Sequence, residues 1–372
     1  MKKKSSYILA GLAVIPIASA LIFNSISNKT TYYLANEKGN RKEMSSVKLE
    51  TLQCEGNSYV FNRKVTITAD DIKVDKDNSF DLYGHYQGIK ANKDLFRGKM
   101  LNEQFIDENE KYACYASVEQ AGLQYYIDLY IKDLKSGDIK NKRYDLDYNS
   151  DNGYFHTNLV KISGRFVNIV LQKSSSNNET SEDTESLVNY KFDLATGNFL
   201  KKFDIGRKIM AVKTDSSNNI YCVDYNNNKN DSEGTPVFSL VIYNVTNDTT
   251  EKTKLPKGFD VNTVIENNGG QYLFSYTGEM IERTSDGKLK DTVKLIDRKD
   301  NENSGFSHIK VKDNKVYGIY SRYDGHGQKC EQEAIKIFSI DTGKELYSGD
   351  IMKKGAFDSK GQPAGGAVHI FI

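Results

Sequence analysis

Seven short turns rich in Gly, Asn, Asp or Glu recur along this chain, each followed at once by an apolar or aromatic strand start. The starts are Tyr59, Tyr112, Phe166, Ile220, Tyr272, Val316 and Val368, spaced 53, 54, 54, 52, 44 and 52 residues apart. A near-constant spacing of this size marks stacked supersecondary units, none of which buries its apolar face alone. At 372 residues the chain is long enough for one large all-β unit. Tyr (24) and Phe (17) are plentiful, Pro (4) is scarce and Trp is absent, a mixture suited to half-buried pleated surfaces.

Residues 208–258 give the clearest unit. KIMAVKT reads as a strand, SSNN as a turn and NIYCVDY as a second strand; VFSLVIYNV and TEKTKL follow as the third and fourth. The turn between third and fourth strands recurs near Gly137, Gly197, Asp248, Gly287 and Gly343, where Gly, Asn or Asp supplies the positive φ of a tight hairpin. The strands before these turns, such as LYIKDL (129–134), YKFDL (190–194), LVIYNV (240–245) and IKIFSI (335–340), are apolar on both alternating sets. Both faces of each sheet are therefore covered.

Four antiparallel strands repeated around a ring make a propeller. The chain ends just after the seventh repeat start, so its last blade needs completing, and residues 30–48 (TTYYLANEKGNRKEMSSVK) supply an aromatic strand, a turn at Gly39 and a second strand. The expected architecture is a seven-bladed β-propeller of four-stranded antiparallel blades, closed by N-terminal outer strands and C-terminal inner strands in a two-plus-two arrangement, which removes exposed edges. In this organisation everything after residue 30 resembles the broad β-propeller superfamily of WD40-like and quinoprotein-like repeats. It has no Trp-Asp dipeptide and no Trp docking motif, so the resemblance extends to no particular family.

The N-terminus is organised differently. MKKKSSY supplies three lysines, and residues 8–23 (ILAGLAVIPIASALIF) are uncharged and mostly apolar, the pattern of an export signal. Ala18, Ser19 and Ala20 suit signal peptidase, whereas Leu21, Ile22 and Phe23 continue the apolar run. Extended through Ile26, an uncleaved helix spans roughly 28 Å, close to the ~30 Å hydrocarbon core. The expected domains are a signal peptide or uncleaved signal-anchor helix over 1–27 and the propeller over 28–372. The expected location is the cell membrane, with one N-terminal anchor and an extracellular domain, or alternatively the secreted fraction after cleavage. The Lys- and Asn-rich composition fits a bacterial chain.

Lys plus Arg (51) and Asp plus Glu (50) nearly cancel, so no global basic field implies a nucleic-acid partner. Cys54, Cys114, Cys222 and Cys330 are too widely spaced for a metal knuckle and read as free thiols. Asp75, Asp77, Ser79 and Asp81, and likewise Asp145, Asp147, Asn149 and Asp151, put oxygen ligands at alternate positions but lack the Glu that ends a calcium loop. Both stretches are expected to be strand connections. His326, Cys330, Glu331 and Glu333 form an incomplete metal set, and neither a metal nor a cofactor is expected.

Long polar connections at 173–186, 226–235 and 322–333 all join second to third strands, where variable loops on a rigid scaffold commonly bind. At the blade entries a glycine is followed by Phe and then a polar residue. Phe155, Phe259, Phe306 and Phe357 are expected to plug the gaps between blades, and His156, Arg207, Asp260, His308 and Asp358 to surround the mouth of the central channel. Two functions follow. One is an exported binding or scaffolding module for a protein or glycan partner near the outer membrane surface. The other is an exported hydrolase or lyase with its site at the funnel. No paired nucleophile and base stands out, which favours binding.

Overall fold

A computed structural model describes residues 31–54, 61–76, 92–97, 99, 105–149, 153–177, 182–207, 209–215, 218–224, 237–296, 303–324, 327, 329–354, 361–363 and 368–371. The apolar segment 8–26 lies outside them. Described residues 31–371 are almost entirely strand, and none of their helices is long and apolar enough to cross a membrane.

The first strand, β1 (Thr31–Gly39), precedes β2 (Lys48–Cys54), β3 (Phe61–Ile67) and β4 (Ile72–Lys76). Four consecutive groups follow. They are β5 (Ile106–Glu108), β6 (Tyr112–Ala121), β7 (Gln124–Asp133) and β8 (Ile139–Asn149); β9 (Tyr154–Ser163), β10 (Phe166–Asn177), β11 (Glu182–Asp193) and β12 (Phe199–Arg207); β13 (Ile209–Thr214), β14 (Asn219–Asp224), β15 (Ser239–Asn244) and β16 (Thr249–Lys254); and β17 (Val261–Asn267), β18 (Gly270–Ser275), β19 (Glu279–Arg283) and β20 (Val293–Lys294). The chain closes with β21 (Ser304–Lys312), β22 (Lys315–Tyr323), β23 (Cys330–Ser339), β24 (Glu345–Lys354), β25 (Gln362–Pro363) and β26 (Val368–Phe371). Each group of four forms one sheet hydrogen-bonded in chain order, the plain antiparallel meander of a propeller blade. The chain divides into two compact units, Met1–Asp81 with Asn267–Gly270 and Tyr276–Ile372, and Leu82–Glu266 with Gln271–Ser275.

Six sheets are present among the described residues, against the seven blades that seven repeat starts suggested. Tyr112, Phe166, Ile220, Tyr272 and Val316 lie at or near the starts of second strands. Tyr59 lies outside the described residues, and Val368 opens β26, in the sheet ordered β26-β2-β3-β4.

Closure also differs from the two-plus-two expectation. The sheet that unites the chain ends takes one strand from the C-terminus and three from the N-terminus, with Lys48 opposite Phe371 and Thr51 opposite Val368. The segment 30–48 is not a hairpin: β1 pairs instead with β24, from Thr31 opposite Lys354 to Gly39 opposite Tyr347, and becomes a fifth strand outside that sheet. A side-chain pocket explains the preference. Tyr32 enters the core formed with Met44, Leu49, Tyr317, Ile337 and Tyr347, while the Tyr347 hydroxyl donates to Glu37 at 2.7 Å.

Gly39 has φ +82, and a Cβ there would overlap the Leu346 carbonyl oxygen and come within 2.9 Å of the Tyr347 Cα. Gly39→Ala should therefore cost about 2–4 kcal/mol, combining a strained φ with overpacking against backbone. Gly122→Ala is the control: φ is +62 but a Cβ would meet nothing within 4 Å, leaving only the backbone term. Urea unfolding of both variants separates the two contributions, and equal losses would exclude the backbone overlap.

One turn motif organises the outer half of four sheets. Asp133, Asp193, Asn244 and Ser339 each accept, through the backbone carbonyl, the N–H of the residue four later, which is Gly137, Gly197, Asp248 or Gly343. All four of those residues have positive φ. The next residue, Leu134, Leu194, Val245 or Ile340, donates its N–H to the turn between the first and second strands, at Lys111, Arg165, Asn218 or Asn314. Side chains lock the first three turns further, the Asp133, Asp193 and Asn244 oxygens accepting N–H bonds from residues two or three ahead.

The same turns receive the neighbouring sheet. In the second unit the Lys140 ammonium on β8 donates to the Ala195 carbonyl, and Lys201 on β12 reaches Asp248. Aromatic rings fill the space beneath: Tyr144 stacks on Phe199 at 4.5 Å between centroids and Phe203 on Tyr243 at 5.1 Å. The core of this unit runs through Ile127, Leu129, Ile131, Val160, Val167, Ile169 and Phe192. In the first unit, a Cβ on Gly343 would press on Val293 and on the Lys294 carbonyl.

Parts of three expected connections are strands. Residues 173–177 and 182–186 continue β10 and β11 in register, from Lys173 opposite Ser186 to Asn177 opposite Glu182. Antiparallel pairing uses backbone groups, so a polar Ser/Thr/Glu composition does not oppose it once the apolar part of the hairpin has set the register. Asp145 likewise lies within β8, opposite Tyr126, and Asp75 within β4, opposite Lys64. Residues 226–235 and Asp77, Ser79, Asp81 and Asp151 lie outside the described residues.

Candidate functional site

In the second unit, two first strands, β5 and β9, run close together and their side chains satisfy each other's edges. Asp107 on β5 accepts the Ile162 N–H on β9 at 2.6 Å, with the Lys161 ammonium 3.8 Å away. The Thr157 hydroxyl accepts the Val118 N–H at 3.1 Å, three residues past the last β6 residue paired with β5. These two bonds tie the β5–β6 sheet to β9. Burial pushes the Asp107 carboxyl above its ordinary range, against the opposing pull of the Ile162 N–H and Lys161. A half-exposed carboxyl and ammonium thus stand on the first strands of two adjacent sheets.

His156 sits at the exposed start of β9, its ring 6.5 Å from Phe105 in an edge-on contact. Tyr154, two residues earlier on the same side of the strand, is 53% exposed. Phe155 points to the other side and meets Tyr125 of the preceding sheet at 5.8 Å. The expected plug between neighbouring sheets is therefore present at this position. Phe259 is buried, and Phe306 packs within its own sheet against Tyr320 and Phe338.

The other candidates are spread more widely. Arg207 ends β12, opposite Ser186. Following the register across its sheet, His156 faces Gln172, Gln172 faces Leu187 and Leu187 faces Gly206. Three strand spacings, roughly 14 Å, separate the two residues. Arg207 is on the fourth strand and not beside His156, because the chain leaves each sheet from its far side before entering the next. Asp260 is half-buried immediately before β17, in the same unit. His308, in the first unit, is half-buried just past a bulge between Phe306 and His308. Phe357 and Asp358 lie outside the described residues.

Large exposed apolar side chains have their own distribution. They are Leu123, Ile139, Tyr154, Leu200, Tyr276 and Tyr323. Leu123 and Tyr276 lie in connections between second and third strands, Tyr323 ends a second strand, and Tyr154 opens a first strand. In an antiparallel meander all of these positions share one end of their sheets, the end carrying the long connections. Only Ile139 and Leu200, at the starts of fourth strands, lie at the other end.

Cysteine chemistry is muted. Cys114 and Cys222 are buried and free, with burial pushing the Cys114 thiol up and the Cys222 thiol up to about 12. Both stay protonated and act as small apolar groups. Cys330 is also free and donates to the Gln332 carbonyl. The side chain of Cys54 and the whole of His326 lie outside the described residues. Glu331 pairs with Arg322 at 3.6 Å, and Glu333 is buried. No group of three or more metal-ligating side chains gathers among the described residues.

Asp107, Lys161 and Tyr154 were not among the sequence candidates. Asp107 sits in the segment FIDEN as one acid among several, and its partner is 55 residues away.

No protein-family model and no curated protein matches this sequence. Among solved structures, cobalt-substituted Synechocystis apocarotenoid oxygenase is similar over 91% of this chain and 96% of its own, at 8% identity and TM-score 0.45. The periplasmic gluconolactonase PpgL of Pseudomonas aeruginosa covers 84% of both chains at 12% identity and TM-score 0.39. Saccharomyces cerevisiae Sqt1 covers 79% of this chain and 88% of its own, at 8% identity and TM-score 0.32. Every one of these TM-scores is below 0.5 and carries no inference about activity.

Proposed function

We propose that this chain is an exported β-propeller, tethered by its N-terminal apolar segment, that works as a binding or scaffolding module for a protein or glycan at the outer membrane surface. The five four-stranded sheets and the six-stranded sheet of β21–β24 with β1 and β25 serve as its blades, with β26 completing the blade of β2, β3 and β4. The observation that carries the reading is the placement of Leu123, Tyr154, Tyr276 and Tyr323 at the connection-bearing ends of their sheets. Exposed tyrosine offers a large contact surface with a polar tip at low entropy cost, which suits recognition of either partner class. The bonds of Asp107 and Thr157 join the two sheets that carry Leu123 and Tyr154. A near-zero net charge sets nucleic acid aside as the partner.

A second reading, an exported hydrolase or lyase working at the central funnel, would draw on His156 at the exposed start of β9. Co-sedimentation of the full-length protein with isolated cell envelopes tests both. Changing Leu123, Tyr154, Tyr276 and Tyr323 together to serine should weaken retention at least about tenfold, equivalent to ~1.4 kcal/mol. The double variant His156→Ala, His308→Ala should bind as the parent does. Retention unchanged in the serine variant would overturn the binding reading, and release of an envelope fragment that stops in the histidine variant would establish the enzyme. Pretreating the envelopes with protease or with glycosidase distinguishes the two partner classes.

A further inference from the structure

Ile139 and Leu200 stand apart from the other large exposed apolar side chains, at the ends of two adjacent sheets that carry the short turns. They are 40% and 45% exposed. Each lies at the start of a fourth strand and runs straight into lysine, in LKSGDIKNKR over residues 134–143 and ATGNFLKK over 195–202. These two stretches hold the exposed cations Lys135, Lys140, Lys142, Arg143, Lys201 and Lys202 against a single acid, Asp138. The neighbouring carboxylates of Asp133 and Asp193 are occupied in accepting backbone N–H groups of their own turns. Asp204 stands 4.0 Å from Lys202, and Asp145 follows on β8.

Contacts across the gap make the two stretches one surface. The Lys140 ammonium donates to the Ala195 carbonyl, and a Cβ on Gly197 would come within 2.8 Å of the Lys142 side chain. The Lys202 ammonium lies 5.9 Å from the centre of the Tyr190 ring, over the layer in which Tyr144 stacks on Phe199. Lysine on an outer strand is accounted for as a guard against edge pairing. That role does not account for the apolar side chains beside it. β16, the outer strand of the next sheet, keeps Lys252 and Lys254 but has Thr250 and Glu251 at the places of Ile139 and Leu200. Single exposed apolar residues are ordinary on a surface, whereas here they are joined to lysine in two sheets that touch.

We infer that this basic rim is a lipid-facing surface, resting on an anionic bilayer with its cations at the headgroup phosphates and Ile139 and Leu200 in the boundary between headgroups and acyl chains. Interfacial binding combines buried apolar area with attraction to anionic headgroups, and both are supplied here. Lysine and arginine suit the position because their stems lie along apolar surface while the charge stays in water. A soluble anionic polymer would use the cations and leave Ile139 and Leu200 in water, so the apolar pair favours lipid. Leu123 and Tyr154 lie at the opposite ends of the same two sheets, and a rim resting on lipid directs them away from it. From Ile139 to Leu146, which faces Tyr125, β8 alone spans ~24 Å at ~3.4 Å per residue. The inference stands on these side chains and does not depend on the N-terminal segment.

Full-length protein reconstituted with vesicles containing brominated phosphatidylcholine tests the contact, because the chain has no tryptophan and a single introduced one reports its own surroundings. Leu200→Trp, and separately Ile139→Trp, should be quenched about twofold or more when phosphatidylglycerol makes up half of the lipid, and not in phosphatidylcholine alone. Leu123→Trp, at the far end of the same sheet as Ile139, should emit alike in both. Adding Lys142→Glu and Lys202→Glu to Leu200→Trp should abolish the quenching, and so should high salt. A parent thermal midpoint shows that this charge-reversed variant still folds. Leu200→Trp that is unquenched in anionic vesicles, equally quenched in neutral ones, or quenched despite the charge reversals overturns the inference. Binding of inorganic polyphosphate without any quenching by lipid also overturns it and assigns the rim to an anionic polymer. Flotation with neutral vesicles reports separately on the N-terminal segment, so protein that floats only with anionic vesicles and is quenched there refutes the tether and keeps the lipid-facing rim.

Discussion

Asp248→Asn should destabilise the protein by about 3–5 kcal/mol, although the residue lies in a turn where its repeat counterparts are glycine. The Asp248 carboxylate is the meeting point of a buried network. Lys191 donates to both of its oxygens at 2.9 Å, the Tyr243 hydroxyl donates at 2.6 Å and Lys201 approaches from the solvent side. Lys191 and Asp248 side chains are only 4% and 8% exposed, whereas Lys201 is 55% exposed. Asn189 donates to Tyr243 and to Asn168, which carries the network into the preceding sheet. Removing the negative charge leaves the Lys191 ammonium buried with only the Val245 carbonyl as a strong acceptor.

The turn itself sharpens the test. Asp248 holds a φ of 55 where Gly137, Gly197 and Gly343 hold comparable values at no steric cost. Asp248→Gly relieves that backbone by about 0.4–1 kcal/mol and still loses the acceptor, so it should destabilise nearly as much as Asp248→Asn. Lys191→Met combined with Asp248→Gly should recover most of the loss, since a buried ion pair replaced by apolar groups is often neutral. Lys201→Ala, at the exposed arm, should cost no more than about 1 kcal/mol. Chemical denaturation of these variants, with Lys191→Met alone completing the cycle, gives the coupling energy. A loss below about 1 kcal/mol in Asp248→Asn would mean that Lys191 finds another partner or gives up its proton.

Acid should act on the same network. Burial raises the Asp248 carboxyl, but hydrogen bonds from Lys201, Tyr243 and Lys191 outweigh it and hold the group below the ordinary aspartate range. A carboxyl depressed on folding contributes its full stabilisation above its unfolded pKa and loses it as pH falls through the lower folded value. The parent should therefore lose stability across that acid window. Asp248→Asn should lose correspondingly less there.

The repeat was legible because its signals are local. The residues following Asp133, Asp193, Asn244 and Ser339, together with a positive-φ residue four positions on, specify the same turn in four sheets through contacts within the turn and to one adjacent connection. The apolar residues on both sides of β7 likewise report two covered faces, and both are covered. What failed depends on pairing between distant segments. Residues 30–48 look in composition like the hairpin that completes the last blade, yet β26 pairs with β2 while β1 pairs with β24. Arg207 lies near a blade entry in sequence but on a fourth strand in space. Asp107 carries no local mark at all, since its role comes from the edge of β9 that happens to pass beside it.

Deleting residues 364–372 should have the other large effect, lowering stability by at least about 3 kcal/mol and converting unfolding from one transition to two. β26 contributes four paired residues to β2, from Lys48 opposite Phe371 to Thr51 opposite Val368, and ladder bonds of this kind are worth about 1 kcal/mol each. Its loss does more than subtract those bonds. β2 becomes a bare edge, and Leu49, wholly buried in the core with Tyr32, Met44 and Tyr347, loses the strand that shields its sheet. β1 and β24 share that core, so loosening β2 also loosens the fifth strand. Removal of residues 1–40 tests the opposite side of the same core: it deletes Tyr32 and the Glu37 acceptor of Tyr347 but leaves the β26-β2 ladder intact. Both truncations should melt below the parent, with only the C-terminal one exposing β2 to hydrogen exchange at Leu49 and Thr51. Parent-like protection of those amides after C-terminal truncation would show that β26 is dispensable to the sheet and that the chain ends are not its closure.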